Sequence, residues 1–329
     1  MRALALMLLF LTSAPVQAQS PDLRAIVQTH VIAGYRSLVE EAADLADTAD
    51  AECSVANTNL VPAFHDAFDA WVRVSHLRFG PSEREERAFA LAFWPDPRGS
   101  TLKALAGLIR NQDKAVLAPG EFTTVSVAAR GFYALEYLLF DPQFASSNGP
   151  FHCALVQAIT ADIATNAQAI LEDWQGGFGA EMMNPENGTY RSTSEAHQQF
   201  FTALLSGLEF TSDVRLGRPM GTFERPRPNR AEARRSGRSL RHVVLSLEAT
   251  EQLAGLLSGE DPDIAGRFQA ALERALALND PIFASVAKHH GRFQVEVLQQ
   301  KIDEIRDILT QELGPRLGIS AGFNALDGD

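Results

Sequence analysis

Residues 130–141 read RGFYALEYLLFD. Ten residues lie between the flanking Arg and Asp, and Glu136 is the one charged residue among them. The spacing is helical, and a helix that is apolar on nearly every side belongs in the centre of a bundle. An ionised carboxylate is costly there unless a cation, a metal or several donors meet it. The stretch therefore predicts a buried acid with a partner, either a ligand or an arginine that ties two helices together.

The rest of the chain is also patterned for helices. Apolar residues recur about every 3.6 positions, and strand-like alternation is nearly absent. Helices are predicted from near Asp22 and over 58–78, 82–92, 100–112, 121–140, 149–173, 191–213, 229–257, 262–278 and 281–313. The Gly- and Asn-rich residues 176–190 form a connector. We predict an all-α fold of two helical bundles, residues 19–180 and 181–329, which could be a diverged duplication.

Residues 1–18 have the pattern of a secretory signal peptide. Arg2 precedes an apolar run, and Val16, Gln17 and Ala18 form a small-residue cleavage site. No later stretch approaches the roughly 18 uninterrupted apolar residues that a membrane span requires. We expect a mature chain that begins near Gln19, is soluble and reaches the bacterial periplasm.

Charge and cysteine content limit the partners and the compartment. The 329 residues carry a net charge of −12, from 29 basic and 41 acidic residues. Because nucleic-acid phosphates would repel such a protein, a cation or a neutral ligand is a more natural partner. The two cysteines, Cys53 and Cys153, could form a disulfide in an oxidising compartment. Two buried free thiols are the alternative.

A second segment with chemical potential is AWVRVSHLRFGP, from Ala70 to Pro81. Its imidazole, His76, is a candidate ligand because it can be donor or acceptor at neutral pH. The alternative is a hydrogen-bonded histidine near a helix end. Arg78 is favourable near a helix C-terminus through the helix dipole, without any ligand.

A third segment, Glu224–His242, contains seven arginines and two glutamates. Arginine clusters bind carboxylate or phosphate through paired donors, although they also pair with acidic helices of their own fold. Asn229 and Glu232 resemble a capping box for a helix that reaches Leu257. Arg238 and Ser239 follow a glycine that permits close approach. We expect Arg238 to reach a central cleft and to meet Glu136 or an anionic group of a ligand.

Several common catalytic motifs are absent from the sequence. It contains no HExxH, CxxC, GxGxxG, GxxxxGK[ST] or GxSxG pattern. The usual zinc-peptidase, zinc-ribbon, dinucleotide, P-loop and serine-hydrolase interpretations therefore have no support.

The segment GFYALEYLLF resembles the signature of the imelysin family, Gly-x-His-x-x-Glu in a similar apolar context. The segments AWVRVSHLRFGP and RSGRSLRHVVLSLEA also resemble stretches of imelysin-like proteins. The resemblance implies a two-domain helical fold of related bundles, export, a link to iron uptake and candidate metallopeptidase activity. Gly131 and Glu136 match the motif, whereas Tyr133 stands at the histidine position. A neutral phenol is a poor metal ligand, so the site either binds Fe(III) in a modified way or has lost its metal.

These observations lead to one leading hypothesis and two alternatives. The leading hypothesis is an exported protein that binds iron, another divalent or trivalent metal, or a small ligand, in association with iron-transport components of the envelope. The predicted cleft residues are Gly131, Tyr133, Glu136, His76, Arg78, Arg238 and Ser239, with Glu136, Tyr133 and His76 as candidate metal ligands. The alternatives are a metallopeptidase of the same family, and an envelope scaffold without a small ligand. No residue is assigned a catalytic role.

Overall fold

The computed structural model of the chain describes residues 20–53, 58–118, 120–145 and 149–319. The predicted signal peptide, residues 1–18, lies outside these ranges. The principal helices are α1 (Ala33–Ala51), α2 (Leu60–Val74), α3 (Ser100–Asn111), α4 (Gly131–Phe140), α5 (Pro150–Asp173), α6 (Thr193–Glu209), α7 (Ser239–Ser258), α8 (Pro262–Leu278) and α9 (His289–Ile308). Within the described ranges no strand forms, and an isolated bridge pairs Thr222 with Arg225.

Shorter helical segments extend or connect these nine helices. The short α-helical segments are Leu23–Ala25, Arg87–Leu91, Lys114–Leu117, Pro142–Ala145, Gly179–Met183, Gly217–Met220 and Gly314–Arg316. The π-helical segments are Ile26–Ile32, Trp174–Phe178, Phe210–Leu216 and Leu309–Leu313. The 3-10 turns are Gly80–Ser82, Arg84–Glu86, Phe122–Thr124, Val127–Ala129, Pro228–Arg230 and Ala284–Ala287. The all-α prediction is confirmed.

The helices pack in two groups that share one core. Helices α1, α2, α4 and α5 pack on one another, as do α6, α7, α8 and α9, and α2 packs against α7 between the groups. Buried apolar side chains from both groups form one continuous cluster. The domain boundary at residues 180 and 181 stays a prediction, and a duplication is not shown.

Helix α4 is central, and its first residue explains why it begins later than predicted. Gly131 has φ of +72°, and a Cβ atom there would lie 2.2 Å from the carbonyl oxygen of Leu91. Glycine is the one residue that tolerates both this conformation and this close approach. The helix predicted from near residue 121 is therefore wrong at its start. Pro142 ends the helix because the residue before a proline avoids the helical conformation, and Asp141 is extended.

The helix predicted from Asn229 is also wrong at its start, because α7 begins at Ser239. Ala231 is extended, and Ala233 and Gly237 both have positive φ, so the chain turns instead of entering a helix. This turning segment, residues 231–237, lies over α4. The segment places the Arg-rich region against Glu136, the buried acid of helix α4. Helical periodicity does not reveal this backbone geometry.

A disulfide joins Cys53, after the end of α1, to Cys153 in α5, with Cα atoms 5.2 Å apart. This disulfide and an ion pair from Arg130 to Asp162 both stabilise the packing of the first group of helices. In that pair Arg130 Nε and Nη2 donate to the two carboxylate oxygens at 2.9 and 2.6 Å. Such a bidentate pair fixes where α4 starts against α5. Within the described part of the chain, no helix is long and apolar enough to cross a membrane.

Candidate functional site

Helix α4 places two polar side chains, Tyr133 and Glu136, inside the molecule. Both are buried, with 5% and 2% of their surface exposed. Although they are three residues apart on one helix, they have different partners. Tyr133 meets another glutamate, Glu232, and Glu136 meets the turning segment at Ser236.

Four buried side chains, Tyr133, Arg215, Glu232 and His242, form what we call the Glu232 network. The Tyr133 hydroxyl donates to Glu232 Oε1, and Arg215 Nε donates to Oε2 at 2.7 Å. His242 Nδ1 lies 3.3 Å from Oε2 without hydrogen-bond geometry. The remaining Arg215 nitrogens reach hydroxyl groups of Thr211, Ser246 and Ser75 at 3.2 to 3.5 Å. The carboxylate of Glu232 is thus met by a cation and a hydroxyl.

Charge neutralisation decides the protonation states in this network. Burial by itself would raise the pKa of Glu232, but the Arg215 guanidinium, with His242 and Tyr133, outweighs it and holds the pKa at about 2. Burial, followed by the Glu232 charge, raises the pKa of Tyr133 well above its usual 10. Glu232 is therefore ionised and Tyr133 is a neutral phenol at neutral pH.

Glu136 is less fully satisfied than Glu232. Its Oε1 accepts from the Ser236 backbone N–H and from the Ser236 hydroxyl, both at 2.8 Å. No hydrogen bond reaches Oε2 from the parts of the chain that the structure describes. Burial raises the pKa of Glu136, and the Ser236 bonds and the Arg235 charge offset this in part. The acid is buried and has a partner, as predicted, but that partner is a serine.

The larger of two cavities near α4 has a volume of about 330 Å³. Three aromatic side chains, Trp71, Trp94 and Phe210, contribute to a mostly apolar wall, and the Glu232 network contributes Tyr133, Arg215 and Glu232. The other lining residues are Ser75, His76, Arg78, Ala92, Ser206, Gly207, Glu209, Asp213 and Val214. Apolar enclosures with a few convergent polar groups are typical of small-molecule sites.

His76 belongs to a buried chain of side chains beside this cavity. Its Nε2 lies 2.9 Å from Nε2 of His30, whose Nδ1 lies 2.9 Å from the Gln252 side-chain oxygen. Burial lowers the pKa of His30 to about 4, and burial together with His30 and Arg215 lowers the pKa of His76 well below 6.5. Both rings are therefore neutral at neutral pH. The chain links the segment before α1, the end of α2, and α7.

The smaller cavity, of about 130 Å³, is polar. Trp94 and Tyr133 line both cavities, whereas Glu136 lines the smaller one and His76 the larger. Three arginines are among the other lining residues of the smaller cavity, which are Phe93, Asp96, Thr101, Tyr137, Arg218, Asn229, Arg230, Ala231, Ala233 and Arg235.

The three predicted metal ligands do not fit a metal ion. Glu136 and His76 do not line a common cavity, and Tyr133 is a neutral phenol that already donates to Glu232. His76 Nε2 is engaged by His30. Metal ligands must be deprotonated and must converge on one point. Tyr133 keeps its proton, and Glu136 and His76 line different cavities. In the described ranges no three His, Cys, Asp or Glu side chains are grouped so that they could hold a metal.

The other predicted cleft residues lie apart from Glu136. Gly131 packs against backbone carbonyls, and Arg78 lines the larger cavity while it pairs with Glu83 at 2.6 Å. Arg238 forms its ion pair with Asp69 on α2. The expected Arg238 pairing with Glu136 is therefore not what the structure has. The Ser239 hydroxyl donates to the backbone carbonyl of Glu232 and so holds the turning segment in place.

Several residues of the site are not singled out by sequence reasoning. Arg215 and Trp94 lie in segments with no motif, and Glu232 looks like a helix cap. Arg215 lies in the stretch FTSDVRL, whose Asp213 is a nearer candidate partner, so the sequence gives no signal that pairs Arg215 with Glu232.

Comparison with known proteins agrees with the fold and the site-bearing segment. The imelysin family model matches residues 31–309, which is most of the chain. An imelysin-like protein from Psychrobacter arcticum 273-4 superposes with a TM-score of 0.74 at 19% identity, covering 92% of this chain and 96% of that one. A "putative iron-regulated protein A precursor" from Parabacteroides distasonis ATCC 8503 superposes with a TM-score of 0.69 at 12% identity, covering 90% and 96%.

A search of curated proteins gives no significant match. The two solved structures share little sequence with this chain, so they establish the fold and nothing further. The family model spans α1 to α9 and includes the segment with Tyr133 and Glu136. The chain therefore belongs to the imelysin family.

Proposed function

We propose that this chain is an exported imelysin-like binding protein that holds a small organic ligand in the larger cavity. The observation that carries the proposal is a mostly apolar cavity of about 330 Å³ beside the buried Arg215–Glu232 ion pair. Its volume is at the lower end of the range for small-molecule sites, which is roughly 300 to 1,000 Å³. The ligand is therefore small and predominantly apolar.

The walls define the chemistry that such a ligand needs. Trp71, Trp94 and Phe210 provide flat aromatic faces, which favour a ring or another planar group. Arg215 is already held by Glu232, and its guanidinium lies 4.8 Å from the centre of the Phe210 ring. Because the charges of Arg215 and Glu232 compensate each other, this pair suits a neutral ligand body better than an ion.

Export and an iron-related setting complete the proposal. Export is supported by the signal-peptide pattern of residues 1–18 and by the word "precursor" in the name of the Parabacteroides protein. The iron setting is supported by that name, "iron-regulated", and by the family. We expect a periplasmic location and transcription that responds to the iron supply, which transcript measurement in iron-limited and iron-replete cells would check.

A bare metal ion and metal-dependent peptide hydrolysis receive less support than a small organic ligand. A metallopeptidase site holds its ion with about three protein ligands and leaves one position open. Tyr133 replaces the motif histidine here, and its hydroxyl is committed to Glu232. No hydrolytic step follows from these donors.

Tryptophan fluorescence offers a direct test. Of the three tryptophans, Trp71 and Trp94 line the larger cavity, and Trp174 is buried elsewhere. The probe is nitrobenzene, a neutral aromatic quencher. We expect saturable quenching in the wild type and in Trp174→Phe.

A blocking variant separates cavity binding from random collision. Ala92→Phe adds a ring to the cavity wall, and Ala180→Phe adds the same ring at an exposed position outside it. We expect saturable quenching to disappear in the first variant and persist in the second. Linear quenching that is equal in both variants would reject the larger cavity as a binding site.

A further inference from the structure

The smaller cavity brings together two arginines that have no acidic partner. Arg218 comes from the short helix Gly217–Met220, and Arg230 ends the 3-10 turn Pro228–Arg230. Across the described ranges neither forms an ion pair, whereas Arg235 in the same lining is held by Asp141 at 2.7 Å. The molecule as a whole is acidic, so two unpaired cations at one small cavity stand out.

Arg218 is the more constrained of the two. Its Nε is buried and has no hydrogen-bond partner, and its guanidinium lies 5.6 Å from the centre of a Trp94 ring. Burial and the neighbouring Arg230 charge both lower the pKa of Arg218. Removing a guanidinium from water beside a second cation costs free energy unless an anion pairs with it.

The two acids that line this cavity, Asp96 and Glu136, do not pair with Arg218. Asp96 accepts from the backbone N–H groups of Ser100 and Thr101 at 2.9 and 2.8 Å, and so caps α3. Glu136 accepts from Ser236, and neither acid is hydrogen-bonded to Arg218 or Arg230. The space of about 130 Å³ beside the arginines would hold roughly four waters, or one small anion.

We propose that the smaller cavity is a binding site for a small oxyanion, either a carboxylate or a phosphate, held by Arg218 and Arg230. Guanidinium groups present paired N–H donors that match the oxygens of both anions. Asn229, a neutral side chain in the same lining, adds a further donor. This site is independent of the proposed function, because the larger cavity can bind its ligand whether or not the smaller one takes an anion.

The test is calorimetric titration of the mature protein in a low-salt chloride buffer. One arm uses inorganic phosphate and the other uses succinate, so that the two sources of the oxyanion are distinguished. The variants are Arg218→Gln and Arg230→Gln. The control is Arg225→Gln, which removes an exposed arginine outside the cavity lining, from the same Arg-rich region.

We expect one of the two anions to bind the wild type and Arg225→Gln with one-to-one stoichiometry. Binding to Arg218→Gln and Arg230→Gln should be at least tenfold weaker, and the arm that binds identifies the anion. Arg230 is exposed, so its replacement leaves folding intact even if Arg218→Gln does not fold. Failure of both anions to bind the wild type at ~10 mM would overturn the proposal. An equal loss in Arg225→Gln, or none in Arg230→Gln, would overturn it too.

Discussion

Two buried glutamates in the described part of the chain, Glu232 and Glu136, have equal exposure and opposite surroundings. Each is 2% exposed. Glu232 lies against the Arg215 guanidinium and accepts a hydroxyl from Tyr133, so that both of its oxygens are served. In Glu136 one carboxylate oxygen accepts hydrogen bonds, both from Ser236. The Glu136 side chain also lines the polar, smaller cavity.

The difference shows that the Glu232 carboxylate stabilises the fold, whereas the Glu136 carboxylate is available for a further contact at the cavity. Arg215 lowers the pKa of Glu232 far enough to overcome burial, whereas Ser236 and Arg235 do not do so for Glu136. A completely neutralised buried pair contributes to structure, since removing either member strands a charge. An acid beside a cavity that has one oxygen without a hydrogen bond can still take up or release a proton, or contact a ligand.

The largest expected effect is the loss of stability in Glu232→Gln. The substitution leaves Arg215 buried without its counter-charge, which typically costs about 3–5 kcal/mol. The control is Glu248→Gln, which breaks an ion pair of similar length, 2.6 Å to Arg73, between side chains 36% and 44% exposed. Exposed pairs contribute about 0–1 kcal/mol. Urea unfolding of both variants measures the difference, and equal losses would mean that the Glu232 network is not structural.

A smaller loss is expected from Tyr133→Phe, which removes one donor from Glu232. Hydrogen bonds to charged groups contribute about 1.5–3 kcal/mol, so the unfolding free energy should fall by that amount. Tyr35→Phe is the matched control, because Tyr35 is also buried but its hydroxyl donates to a neutral carbonyl, that of Leu77, at 3.5 Å. If the unfolding free energy falls as much in the control as in Tyr133→Phe, the charge on Glu232 does not strengthen the Tyr133 hydrogen bond.

The all-α fold and the family could be predicted from the sequence, because helical periodicity and the motif are local features. The need of Glu136 for a partner could also be predicted, since the desolvation of a carboxylate depends on its own helix. The partner itself could not, because Ser236 is 100 residues away in a turning segment with positive φ at Ala233 and Gly237. The same limit applies to Glu232, which lies in the turning segment and whose role depends on Arg215 from the distant helical segment Phe210–Leu216.

Acidification should separate the two glutamates by sign. Glu232 has a folded pKa of about 2 against an ordinary value of 4.5, so its stabilisation is present above 4.5 and is lost as the pH falls towards 2. The stability gap between wild type and Glu232→Gln should shrink by about 2 kcal/mol between pH 5 and 3. Urea unfolding at several pH values measures it. His30 and His76 also take up protons on unfolding, but equally in both proteins. A constant gap would contradict the assigned charge of Glu232.

The smallest expected effect on stability is that of Glu136→Gln, and its sign depends on pH. Because the folded pKa of Glu136 is raised above its ordinary 4.5, the group lowers stability progressively as the pH rises above 4.5, and the loss is complete once the pH exceeds the folded pKa. Glutamine keeps an oxygen for the Ser236 N–H and hydroxyl and carries no charge. We therefore expect the variant to lie within about 1 kcal/mol of the wild type and to gain on it as the pH rises from 4 to 8. Urea unfolding across that range, with Glu232→Gln alongside, would reveal the two acids moving in opposite directions. A loss of several kcal/mol in Glu136→Gln at pH 8 would instead mean that Glu136 is held by a cation as firmly as Glu232.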